Sequence, residues 1–143
     1  MAILLRYCGL QLPKTSKLSG YTTYQMTKRE IANAFSGGAF EKCFDYLTEE
    51  TVWDTPGEQY LNGKSEIEAF CRKISAYFSS VSTRFEQISL IEDETGVAIN
   101  GTAEFSRDGI LVAQISSCDV YQFGVGNTID SIRSYCITER PPT

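Results

Sequence analysis

Two aspartates stand where the local pattern otherwise calls for apolar or small side chains. Asp54 lies in the β-branched and aromatic run Thr51-Val52-Trp53-Asp54-Thr55, and Asp119 falls in the alternating series Ile115, Ser117, Asp119, Tyr121, Phe123. A carboxylate turned toward a core is costly unless it is paired or protonated. Burial raises its pKa, and a second carboxylate nearby raises one member of the pair further, so two such groups can divide into an ionised base and a neutral hydrogen-bond donor. That division of labour is acid/base chemistry. The same residues allow another reading, in which Asp54 caps the Pro56-Gly57 turn and Asp119 faces solvent while Cys118 and Val120 turn inward.

The rest of the inventory narrows the chemistry. The sequence has no histidine, which excludes His-based general bases, triads and the common metal sites, and leaves carboxylates, tyrosines and lysines to move protons. Cys8, Cys43, Cys71, Cys118 and Cys136 are odd in number, widely spaced and without a C-x-x-C pair. They read as reduced thiols filling apolar positions in a cytoplasmic protein. A formal net charge of -5 with no basic cluster argues against a nucleic-acid partner, whose affinity rests on Lys and Arg neutralising phosphate. The apolar opening Met1 to Leu5 is too short to cross a bilayer and lacks the pattern of a secretory leader. No motif for a metal or other cofactor is present, so the expected set of cofactors is empty.

These side chains must be positioned by elements, and the 143 residues suit a single core. Met1 to Gln25 has no clear period and reads as a variable N-terminal arm, with one domain from Met26 to Thr143. Thr27-Lys28-Arg29-Glu30 is a capping box, with Met26 and Ile31 spaced as a hydrophobic staple, and Gly37-Gly38 ends the helix. Phe40, Cys43, Phe44 and Leu47 recur at helical spacing. Thr51 to Thr55 reads as a short strand closed by Pro56-Gly57. Ser65-Glu66-Ile67-Glu68 is a second capping box, opening a helix with the apolar stripe Ile67, Phe70, Cys71, Ile74, Phe78.

From Val81 the period becomes two, giving strands at Val81 to Glu92, Val97 to Arg107, Ile110 to Gly124 and Thr128 to Thr138, joined by hairpin turns such as Asp108-Gly109. The expectation is an α+β fold in which three N-terminal helices cover a curved antiparallel sheet.

The order of these elements, with Glu50 to Gly57, then Asn62-Gly63-Lys64-Ser65-Glu66-Ile67-Glu68-Ala69-Phe70, then Ile129-Asp130-Ser131-Ile132-Arg133, resembles the NTF2-like superfamily, particularly its SnoaL-like and ketosteroid-isomerase-like members. The resemblance covers about Met26 to Ile137. It implies a cone-shaped barrel, a homodimer through the outer sheet face, and an apolar pocket for a small molecule. It matches Asp54 to the isomerase general base and Asp119 to the protonated aspartate of the oxyanion hole. It sets the isomerase's first-helix tyrosine near Ile31, which cannot donate a hydrogen bond; Tyr46, Tyr77, Tyr121 and Tyr135 are the hydroxyls elsewhere. An arrangement like that of limonene-epoxide hydrolase would instead join Asp54 and Asp119 to Arg84 or Arg133. Trp53, Tyr60, Ser117, Tyr121 and Tyr135 are the expected pocket-lining residues. The function implied is small-molecule binding with isomerase-type chemistry at two aspartates; the alternative is a non-catalytic ligand-binding or dimerisation module.

Overall fold

The computed structural model describes residues 24–139; apart from Tyr24 and Gln25, the expected N-terminal arm lies outside them, as does Cys8. Helix α1 runs Lys28–Ser36 and starts as its sequence predicts: the Thr27 hydroxyl accepts from the Glu30 N–H, and the Glu30 carboxylate accepts from the Thr27 N–H. A 3-10 helix spans Phe40–Tyr46, where the spacing predicts a short helix. Helix α2, Lys64–Ser79, begins two residues earlier than the Ser65 cap predicts. Gly63 holds the N-cap position at φ +86 without a side-chain cap, and Glu66 accepts instead from the Asn62 N–H at 2.8 Å. The Ser65 capping box is therefore not used, because a left-handed glycine has already turned the chain into the helix.

The described residues form six strands, β1 Val52–Thr55, β2 Gln59–Asn62, β3 Ser82–Glu92, β4 Gly96–Arg107, β5 Ile110–Phe123 and β6 Ile129–Glu139, all but β2 at positions that alternation predicts. They form one sheet in the order β2-β1-β6-β5-β4-β3. The expectation of a purely antiparallel sheet needs correcting, since β1 pairs parallel with β6. Strand β2, which the sequence pattern does not mark, hairpins back onto β1. The sheet is also open, with β2 and β3 at its edges, rather than closed into a barrel.

The helices cover one face, called the inner face below. Ile31 and Phe35 of α1, Phe40 and Cys43 of the 3-10 helix, and Ile67, Cys71 and Ile74 of α2 form one buried cluster with Trp53, Val97, Ile99, Tyr121, Phe123, Ile129 and Ile132 of the sheet. A second inner-face cluster joins Ala103, Phe105 and Ile115 to the half-buried Tyr77, Phe78 and Phe85. Gly101 sits where no side chain fits: a Cβ there would lie 2.5 Å from the Phe85 ring and 2.6 Å from the Glu86 carbonyl oxygen. No described helix is long and apolar enough to cross a membrane.

Candidate functional site

The strand period decides where each candidate points. On β5 the residues Ile115, Ser117, Asp119, Tyr121 and Phe123 are all buried on the inner face. On β1 the inward residues are Trp53 and Thr55, with Thr51 buried just before the strand. Asp54 shares a face with Val52, as alternation predicts, but that face is the outer one. There its carboxylate meets the Arg133 guanidinium at 3.3 Å, with side chains 28% and 55% exposed, in the register that sets Asp54 beside Arg133. The two aspartates therefore lie on opposite faces of the sheet, and Arg133 joins Asp54 alone. Arg84 pairs with Glu104 at 3.3 Å.

Asp119 is the centre of the inner-face polar network. Its Oδ2 accepts from the Ser36 hydroxyl at 2.8 Å and its Oδ1 from the Ser134 hydroxyl at 2.6 Å. Ser36 lies 2.5 Å from the Tyr121 hydroxyl, and Ser134 accepts from the Trp53 indole N–H at 3.0 Å. Counting protons gives one consistent direction: Trp53 donates to Ser134 and Tyr121 to Ser36, and both serines donate to the carboxylate. Four donors then meet four acceptors, a closed set for an ionised Asp119. Burial pulls the other way and raises the Asp119 pKa; the hydrogen bonds from Ser134 and then Ser36 partly oppose it. Among the described residues, no cation shares this network. Tyr121 titrates well above its usual range, because burial and then the Asp119 charge disfavour the phenolate.

Among the expected pocket-lining residues, the inner face holds Trp53, Ser117 and Tyr121, all buried. Tyr60 and Tyr135 point the other way, 65% and 45% exposed. Each alternates with inward neighbours on its strand, and the Arg133 guanidinium lies 5.7 Å from the Tyr135 ring centre. In α1, Ile31 is fully buried apolar packing, and the residue that reaches Asp119 is Ser36, the last of the helix. In the sequence, Ser36 beside Gly37-Gly38 reads only as a helix end. Ser134 carries no signal beyond the face that β6 alternation gives it.

Two further polar groups complete the inner face. Thr55 and Gln59 are cross-strand partners in the β1–β2 hairpin, and Thr55 Oγ1 and Gln59 Nε2 are buried without hydrogen-bond partners among the described residues. The half-buried apolar side chains Leu61 and Phe70 pack against the first cluster. Among the described residues, no group of three His, Cys, Asp or Glu side chains is placed to hold a metal ion.

The fold has known counterparts. An NTF2-like protein of unknown function from Cytophaga hutchinsonii is 29% identical, with a TM-score of 0.68 over 76% of this chain and 95% of that one. A protein of the SnoaL-like family from Agrobacterium tumefaciens is 19% identical, with a TM-score of 0.58 over 78% and 99% of the two chains. An LEH-like epoxide hydrolase from M. tuberculosis is 18% identical, with a TM-score of 0.56 over 73% and 75%. No family model matches the sequence, and no curated protein matches it.

Proposed function

We propose, from the premise that this chain is a member of the NTF2-like superfamily, that it binds a small, mainly apolar molecule at the inner sheet face without two-aspartate proton transfer. The observation that carries this reading is the separation of the carboxylates. Asp54 is engaged by Arg133 on the outer face, while both Asp119 oxygens are taken by serine hydroxyls inside. A general base must reach the proton it removes, and no inward carboxylate stands opposite Asp119 on β1. Binding is supported by the half-buried inner-face side chains Leu61, Phe70, Tyr77, Phe78 and Phe85, an apolar lining with a few polar groups set into it.

Two measurements test the reading together. Isopropylbenzene titrated into the 15N-labelled protein should shift the Trp53 indole N–H and the Ser117 amide saturably, and equally in Asp54→Asn. Acetophenone in deuterated buffer should exchange its methyl protons no faster than in buffer alone. The absence of saturable shifts up to the solubility limit overturns the binding site. Accelerated exchange that Asp54→Asn abolishes would restore the two-aspartate mechanism in its place.

A second reading, a dimerisation module, is favoured by the outer face, where Leu111, Tyr135 and Ile137 are 44%, 45% and 67% exposed. Apolar groups gathered on one sheet face suit an interface with a second copy. Sedimentation should then give a homodimer that Ile137→Lys dissociates; a monomer at all concentrations sinks this reading.

A further inference from the structure

Buried polar side chains in a native protein are nearly always hydrogen-bonded, so each exception calls for a reason. Thr55 is 2% exposed, and its hydroxyl and the Gln59 side-chain nitrogen both lack partners among the described residues. They are not independent accidents. The register sets Thr55 opposite Gln59, and directly opposed side chains on one face of a hairpin stand about 4.5–5.5 Å apart at Cβ. On the same strand, two residues before Thr55, Trp53 holds Ser134 of the Asp119 network. The pair thus extends the polar part of the inner face to the sheet's edge strand.

We infer that Thr55 and Gln59 form a two-donor subsite for a neutral carbonyl oxygen on the small molecule bound at the inner face. The inference rests on the binding reading above and deepens it by naming the ligand's polar end. The chemistry of the two groups sets the class. Gln59 Nε2 can only donate, whereas the Thr55 hydroxyl donates or accepts, so the atom that satisfies both is an acceptor. An anionic acceptor is disfavoured, because Asp119 shares the face and its network supplies no compensating cation. A carbonyl oxygen, with two lone pairs and no charge, fits both donors at once.

Both groups are sealed in this conformation, so an oxygen reaches them only if the hairpin gives way locally. The hairpin is suited to that: β2 is an edge strand paired to β1 alone, and the turn between them contains Gly57 at φ +81 with open space around it. A displaced edge strand breaks one ladder rather than two.

The experiment compares acetophenone with isopropylbenzene, a pair of similar shape that differs in the carbonyl oxygen, on the full chain and on Thr55→Val and Gln59→Met. The wild type should bind the ketone about tenfold more tightly than the hydrocarbon, the difference that one to two net hydrogen bonds make. Each variant should reduce that ratio toward one while leaving hydrocarbon affinity unchanged. Without ligand, each variant should melt about 2–6 °C higher than wild type, because an unsatisfied buried polar group has been replaced by an apolar one of similar shape. A wild type that binds both probes equally overturns the subsite and leaves the binding reading standing. Binding of neither probe overturns both. A ketone preference that survives in both variants, or variants that melt lower because ordered water already satisfies the two groups, overturns the subsite.

Discussion

Ser36→Ala tests the Asp119 network most directly, because one hydroxyl there serves two neighbours. Its removal leaves Asp119 Oδ2 without a donor and the Tyr121 hydroxyl without its acceptor, at a site where Ser36 is 2% exposed, Asp119 5% and Tyr121 0%. A hydrogen bond to a charged group contributes about 1.5–3 kcal/mol, and an orphaned buried hydroxyl costs about 1–3 kcal/mol. Alanine also leaves only a small void, so the expected loss near neutral pH is about 3–5 kcal/mol. With a urea m-value of about 1–3 kcal/mol/M, the midpoint should fall by more than about 1 M.

The loss must also depend on pH with a definite sign. Asp119 has a folded pKa raised mainly by burial and held down by its two serine bonds. For a carboxyl raised on folding, the neutral form is favoured in the native state. Stability is then fullest below the unfolded pKa and declines as pH rises through the window up to the folded value. Ser36→Ala removes one of the restraining bonds, so the folded pKa rises further and the window widens upward. The deficit relative to wild type should therefore be largest near neutrality and shrink on acidification. Urea titrations followed by Trp53 fluorescence at pH values near and well below neutrality measure both effects. A deficit under about 1 kcal/mol, or one that grows as pH falls, refutes the network as described.

Thr27→Ala removes the hydroxyl that accepts from the Glu30 N–H and should cost about 1 kcal/mol by denaturant titration; a loss near zero would mean that α1 is held by packing alone. Burial pushes the Cys43 thiol up to about 12 and raises Cys71, mainly by burial and then by the neighbouring Cys43. Both should resist alkylation in the native protein near pH 8 and react only on unfolding, read by peptide mass spectrometry, since thiolate is the reactive form. Rapid native labelling at either would contradict the buried cluster. Asp54→Asn should change stability by less than about 1 kcal/mol, because the Arg133 pair is exposed enough to be screened; a loss of several kcal/mol would show that the pair is needed to hold β1 on β6.

Much of the fold is legible in the chain because its signals are local. The Thr27 capping box, the double glycine and the four long alternating runs state where α1 ends and where β3 to β6 run, and the structure places them within a residue or two. The β1–β2 hairpin is less legible: Gln59–Asn62 is four residues long, too short for alternation to declare a strand without its partner. The Ser65 capping box misdirects by two residues, because Gly63 had already made the turn by a backbone conformation open chiefly to glycine.

The candidate site divides along the same line. The chain alone shows that no histidine chemistry is available, that Asp119 is unusual in its strand, and that Asp54 shares a face with Val52. Which face that is depends on how the helices pack on the sheet. Alternation fixes relative orientation along one strand but not the side on which the helices will lie, and a one-residue change of phase exchanges inside for outside. The parallel pairing of β1 with β6 set Asp54 beside Arg133 on the outside and Trp53 beside Ser134 on the inside. Ser36, 83 residues from Asp119 in the chain, became its hydrogen-bond donor because helix packing brought them together; no local pattern encodes a contact over that separation.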